Sequence, residues 1–319
     1  MTTPARARAR SLLPPVADVG DADTTGRRTA ALPMTIDSDT RIAYPDGATR
    51  TTGRVQHLSA LEDGRWAVVL DATAAHPVDP TWPDQGADRG ALVLAGESLD
   101  LLDCRIGAWQ DGELHVGDRL PARLGSAGWS FVVVHVVQDA SLLSLGDAVE
   151  VEVDPEYRGR LSRGHTACHL ASLALNAAVA SFWSKPARAD SLGSPDFDQA
   201  AIRTSVIRES GSTDVYRLGT SLRRSGVDIA RLVAETAAVQ RRIDGLLAEW
   251  IATGADVEIH RDDDLLSTRR TWRCTLPAGP AAIPCGGTHV DRLSEFAQLR
   301  VRLVVENEGT SLRMETDAL

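Results

Sequence analysis

His165-Thr-Ala-Cys-His169 and, far downstream, Cys285-Gly-Gly-Thr-His289 are the stretches on which the reading of this 319-residue chain turns. Each sets two metal-binding side chains four positions apart. On a helix, residues i and i+4 share a face with Cβ atoms about 5–6 Å apart, so His165 and His169 suit one ion. Leu161, His165, His169, Leu170, Leu173 and Ala177 recur at spacings of three and four. That pattern predicts a helix capped by Ser162 and running to about Phe182. The second pair follows Pro284 and is interrupted by Gly286-Gly287, which predicts a glycine turn that folds a thiolate and an imidazole together. His165, His169, Cys285 and His289 make a tetrahedral set for one zinc ion per chain. The sulfur argues against magnesium or calcium, which prefer oxygen. Either motif alone would be a weak signal, because histidine pairs at this spacing also arise by chance on ordinary helices.

Closed four-ligand zinc sites are as a rule structural. Two features point the other way. The 115 residues between His169 and Cys285 join remote elements, as an active-site cleft does. Thr166 and Thr288 also put hydroxyls beside the ligands. Composition leaves both readings open. Of the other histidines, His57, His76, His115 and His260 read as solvent or turn residues. His135, inside the apolar run 131–137, reads as a satisfied core histidine. Cys104, Cys168 and Cys274 read as packing residues.

Working outward, residues 154–319 carry mixed helix and strand patterns, including a long helix from Asp228 to Ile251 and strands at 201–209, 214–218, 257–260, 299–305 and 310–314. Residues 34–153 have a different texture. Strand-like runs at 54–58, 66–70, 91–94, 114–116, 131–137 and 149–153 are separated by Asp-Gly and Gly-Asp dipeptides, which favour tight turns. That spacing predicts a small β-barrel. The segment 76–90 interrupts it with Pro77, Pro80 and Pro83, and reads as a rigid loop near the substrate. Residues 1–33 lack apolar periodicity and read as a disordered leader. The fold class expected is therefore α+β, an N-terminal β-barrel domain (34–153) followed by an α+β zinc-binding domain (154–319).

No run of about 18 apolar residues exists, so no membrane-spanning helix is expected. Four scattered cysteines without a secretory signal ahead of them predict free thiols in a reducing cytoplasm. The net charge of −10 argues against DNA as a partner. Eighteen acidic and eight basic residues fall in 34–150, which leaves the second half close to neutral. A local basic surface there remains open to RNA, because phosphate binding follows the local field. Lys185 is the single lysine among 34 basic residues, a coding bias that makes no individual arginine a signal by itself.

His165-Thr-Ala-Cys-His169-Leu followed by Pro284-Cys285-Gly-Gly-Thr-His289-Val resembles the editing domain of alanyl-tRNA synthetases and the free-standing AlaX-type trans-editing proteins. A related pair occurs in threonyl-tRNA synthetase editing domains. Gly146-Asp-Ala-Val-Glu-Val-Glu-Val-Asp154, Thr40-Arg-Ile-Ala-Tyr44, Leu70-Asp-Ala-Thr73 and Gln85-Gly-Ala-Asp88-Arg-Gly90 extend the resemblance over about residues 40–316. It implies a zinc-dependent hydrolase that removes a Ser-, Ala- or Thr-like amino acid from aminoacyl-tRNA and so protects translation fidelity. Thr166 would then contact a substrate hydroxyl, and Gly286, Gly287 and Thr288 would offer donors at the reacting carbonyl. Gln85 and Asp88 would face the substrate. Arg158, Arg160 and Arg163 would meet tRNA phosphates, or would be solvated arginines in an arginine-biased chain. The family's Pro-Glu-Gly-Gly-Gly-Gln-Pro type loop is replaced here by Pro80-Thr-Trp-Pro-Asp-Gln85-Gly. That departure shifts the expected amino acid, with a modified threonine among the candidates. It also keeps an alternative in view, a metal-dependent hydrolase of a small amino-acid ester or amide. A non-enzymatic binding module with a structural zinc is the third reading. The oligomeric state is not legible in the sequence.

Overall fold

The computed structural model describes residues 36–117 and 119–319, and the expected leader lies outside them. The first half contains β1 (Arg41–Ile42), β2 (Arg50–Ala60), β3 (Trp66–Leu70), β4 (Ala72–Thr73) and β5 (Gly90–Leu94). It continues with β6 (Glu97–Leu101), β7 (Asp103–Gln110), β8 (Glu113–Val116), β9 (Ser130–Val137) and β10 (Ala148–Val153). Eight of these form one sheet in the order β6-β5-β10-β2-β3-β9-β7-β8, and β1 pairs with β4 in parallel. The alternation of β9 divides it between two apolar clusters. Phe131, Val133 and Val137 enter one, and Val132, Val134 and Val136 the other, as period-two side chains must.

The expected barrel is corrected in one respect. No ladder joins the end strands β6 and β8, so the hydrogen-bonded sheet is open. Only Leu102 separates β6 from β7, whose places in the sheet are first and seventh. The sheet therefore curls until the covalent chain, not a ladder, joins its two sides. Leu102 N–H bonds Val136 O at 2.8 Å at this corner. The run 97–110 was missed as strand because Asp100 and Asp103 break its apolar pattern.

In the second half, α1 spans Pro155–Ala178 and not Ser162–Phe182. Its cap is Asp154, whose carboxylate accepts from the N–H groups of Glu156 and Tyr157, with Pro155 at the first helical position. Acceptor then proline is a helix start, since proline's missing donor is no loss there. Ser162 is instead buried in mid-helix. Next come α2 (Phe197–Ala201), β11 (Ile202–Arg208), β12 (Gly211–Arg217), α3 (Thr220–Arg224), α4 (Ile229–Ala234) and α5 (Thr236–Ala252). The expected single helix over 228–251 is capped by Asp228 but breaks at Glu235 (φ −100°, ψ 11°) into α4 and α5. A hairpin sheet of β13 (Val257–His260), β14 (Thr271–Leu276) and β15 (Gly279–Pro284) precedes β16 (Leu299–Glu306) and β17 (Ser311–Ala318).

The four-stranded sheet β11-β12-β17-β16 carries α1 and α5 against one face. The helix sits so close that a Cβ on Gly164 would lie 2.3 Å from Arg208 O. Leu170, Leu173, Val239, Ile243, Tyr216, Leu312 and Met314 share the resulting core. This core and that of the curled sheet are separate apolar clusters, yet the two are stitched together. Leu266 is buried in the first-half core. Ile42 N–H donates to Asp264 O at 2.7 Å, and Leu266 N–H donates to Thr40 O at 3.0 Å.

Candidate metal centre

Helix α1 stacks the rings of His165 and His169 with centroids 4.9 Å apart and planes 13° apart, the consequence of their i, i+4 spacing. β15 ends at Pro284 and hands the chain to a non-helical turn, as the glycines predict. That turn brings Cys285 Sγ to 3.4 Å from His165 Nε2 and 3.2 Å from His289 Nε2. One ligand atom from each of His165, His169, Cys285 and His289 lies within 4.8 Å of all the others. A Cβ on Gly287 would meet the His165 ring at 2.3 Å, so only glycine lets the turn approach the helix.

The donor set fits a metal. His169 Nε2 is buried without a hydrogen-bond partner, which is costly unless something else takes its lone pair. The other rings are held in a useful tautomer. Gln85 Oε1 accepts from Thr288 N–H at 3.1 Å and lies 2.7 Å from His165 Nδ1, which leaves His165 Nε2 facing the sulfur. Thr166 Oγ1 lies 3.1 Å from His289 Nδ1 and accepts from Val290 N–H at 3.2 Å. Such outer partners fix ring orientation in metal sites. Burial lowers the pKa of His165, and burial with neighbouring imidazoles holds His169 and His289 well below the usual range. All three rings are thus kept neutral. Burial also pushes the Cys285 thiol up to about 12, a cost that a bound cation offsets by stabilising the thiolate.

The structure redistributes several expected roles. Gln85, on the loop of the first half, is buried and supports the ligands; its Nε2 also donates to Thr288 Oγ1 at 2.9 Å. Thr288 accepts from Ser162 Oγ at 2.9 Å, so its hydroxyl is committed to the same network. Thr166 is fully buried with its oxygen engaged as described. Gly287 N–H points at Cys285 Sγ at 3.4 Å rather than into open space; Gly286 lies 3.2 Å, measured from an added Cβ, from Arg270 Nη2.

Arg158, expected at phosphates, is only 4% exposed. Its Nε donates to Asp88 Oδ1 at 2.8 Å, its Nη2 to Asp88 Oδ2, and Nη2 also to Ala74 O. Asp88 in turn accepts from His76 N–H at 2.5 Å. This buried pair fastens the loop to α1 and leaves Arg158 only a small exposed surface at the cleft. His76, expected as a solvent or turn residue, is likewise buried, edge-on to Tyr44. Arg160 reaches Glu209 at 2.6 Å. Arg163 is exposed and, among the described residues, has no carboxylate within 4.0 Å. Arg158, Arg160, Arg163, Ser162, Thr288 and His289 all line a cleft of about 550 Å³.

Three neighbours of the cluster were not anticipated. Asp84 Oδ2 lies 3.6 Å from His165 Nε2, on the proline-rich loop 76–90. Trp272 stacks on His169 at 5.2 Å and 20°. Arg270 O accepts from Cys285 N–H at 3.1 Å. The alternation Trp272, Cys274, Leu276 in β14, all buried, was the available signal for that strand.

No family model matches the chain. It is 25% identical over 234 residues to the alanyl-tRNA editing protein AlaX-M of Pyrococcus horikoshii, a match covering 73% of this chain and 78% of that protein. It is 32% identical over 133 residues to the alanine–tRNA ligase of Methanopyrus kandleri, covering 41% of this chain and 12% of the ligase. Through most of its length the chain is thus similar to an AlaX-type editing protein.

Proposed function

We propose, from this relation to AlaX-type editing proteins, that the chain is a zinc-dependent aminoacyl-tRNA deacylase acting in trans. It would hydrolyse the ester between an amino acid and the 3′ end of tRNA. The observation that carries the reading is the convergence of His165, His169, Cys285 and His289 beside a cleft that Arg160 and Arg163 line. When bound, zinc in such a set supplies a Lewis acid that polarises a carbonyl or acidifies water.

The chain's own residues do the rest. Gln85 and Thr166 hold His165 and His289 with their Nδ1 atoms occupied, so Nε2 is presented in each. Trp272 excludes water from the His169 side by covering its ring. The exposed cation of Arg163 and the partly exposed one of Arg160 suit backbone phosphates, which bind arginine through charge-assisted hydrogen bonds. Asp84 sets a carboxylate beside the ligands where AlaX-type loops carry glycine, and it is the residue on which a changed amino-acid preference would rest.

That same carboxylate supports the second reading, hydrolysis of a small amino-acid ester or amide. A deacylation screen over tRNAs mischarged with serine, alanine, threonine and modified threonine, with and without chelator, tests the first. Chelator-sensitive release from at least one is expected. If none is cleaved while zinc is bound stoichiometrically, the reading fails. Salt-dependent tRNA binding separates the two, because only the tRNA substrate releases counterions.

A further inference from the structure

Arg270 immediately precedes β14, and its backbone is locked to the metal turn through the bond from Cys285 N–H. Its guanidinium is treated differently from that of Arg158. Arg158 spends its Nε and Nη2 edge on Asp88. Arg270 spends only Nη1, on Leu266 O at 3.0 Å. Its Nε is buried with no hydrogen-bond partner. Among the described residues no carboxylate lies within 4.0 Å of it. Nη2 sits 3.2 Å from where a Cβ on Gly286 would be, so any larger residue at 286 would press on Nη2. The guanidinium carbon lies 5.8 Å from the ring of Tyr44, which lines the cleft. Tyr44, whose ring faces it, is buried and brings no charged group to it.

A partly buried cation with unpaired donors is costly by itself and favourable with an oxyanion. Arginine's planar fork matches carboxylate and phosphate oxygens, which a lysine would meet only as a point charge. We propose that Arg270, with Gly286 leaving room beside its Nη2, is an oxyanion-binding residue beside the metal turn. The anion it takes is either the phosphodiester nearest the RNA 3′ end or a carboxylate on the aminoacyl group. The proposal deepens the deacylase reading and rests on it for the identity of the anion, but the binding it asserts does not require turnover.

Calorimetry on the zinc-loaded full chain tests it. The probes are the dinucleotide CpA, which carries one phosphodiester, adenosine, which carries none, and glutarate as the carboxylate. The expected result is that Arg270→Gln weakens CpA binding, or glutarate binding, at least tenfold, with adenosine binding and zinc content unchanged. Arg270→Lys should fall between. Loss for CpA assigns the phosphodiester, and loss for glutarate the carboxylate. The proposal is overturned if the wild type binds neither anion more tightly than Arg270→Gln does, or if the variant loses adenosine binding or zinc equally. Failure of the deacylase reading shows separately, as an absence of ester cleavage in the wild type.

Discussion

In the curled-sheet half, His135 is wholly buried and both ring nitrogens are paired, one with Val68 O at 3.1 Å and the other with Thr73 Oγ1 at 2.8 Å. In the α+β half, His169 keeps Nε2 buried and unpaired, and Trp272 Nε1 and Arg270 Nε beside the ligand set share that condition. The two histidines look alike in a sequence: each sits among apolar residues. What differs is whether the fold supplies acceptors and donors for the ring. The satisfied His135 is part of the core, whereas the unsatisfied His169 stands beside three further metal-binding side chains, a setting that the equally unpaired Nδ1 of His76 lacks.

The largest effect that could break this contrast comes from Cys285→Ala. It should abolish stoichiometric metal binding and measurable ester hydrolysis, while circular dichroism and the protection of His135's neighbours from hydrogen exchange stay as in wild type. Loss of both halves' structure would mean that the ligand set is a folding centre and not a prepared site. Next is Asp88→Ala, which strands Arg158 in a buried position. Breaking such a pair costs about 3–5 kcal/mol, read as a lowered urea midpoint, and Asp88→Ala with Arg158→Met should recover part of it. No change would mean that the loop is not anchored by the pair.

Gln85→Ala removes the acceptor that orients His165. Loss of an outer partner of this kind weakens metal affinity about 10–100-fold, measurable by chelator competition with the fold intact. The smallest effect is a pH dependence in which two buried groups, one in each half, oppose each other. Burial lowers His135 to about 4 from 6.5, so below pH 6.5 the unfolded chain takes up a proton that the folded chain refuses, and stability falls until about pH 4. Burial raises Asp198 to about 6 from 3.8, so the folded chain gains a proton first and stability rises as pH drops through 6. From pH 7 to 5 the first costs about 2 kcal/mol and the second returns about 1 kcal/mol. Asp198→Asn should therefore steepen the loss of stability over that interval, as read from denaturant midpoints at pH 7 and 5.

The ligand set was legible because it needs only residue type and helical spacing. His135 was legible for a related reason, since a polar ring inside an unbroken apolar strand has to be satisfied by its own sheet. Ser162 mimics a cap, as a serine near a helix start does, while the true start lies eight residues earlier at Asp154-Pro155. The pairing of Arg158 with Asp88, and of Gln85 with Thr288, could not be read at all. Charge and amide partners 70 and 203 positions apart leave no local periodicity. The same holds for the open sheet, whose curl depends on the corner at Leu102 and on pairing between strands distant in sequence.

The bond between Gln85 and Thr288 also has a consequence in time. Its two partners are separated by 203 residues, and contacts of such separation form late because the loop entropy must be met before they give anything back. As the chain leaves the ribosome, the loop carrying Gln85 emerges first, then α1 with Arg158, and the Cys285 turn only near the end. The Asp88–Arg158 clasp is thus available to seat the loop on the helix before the last two ligands arrive. A refolding experiment that follows metal uptake beside helix formation should find uptake as the slower event.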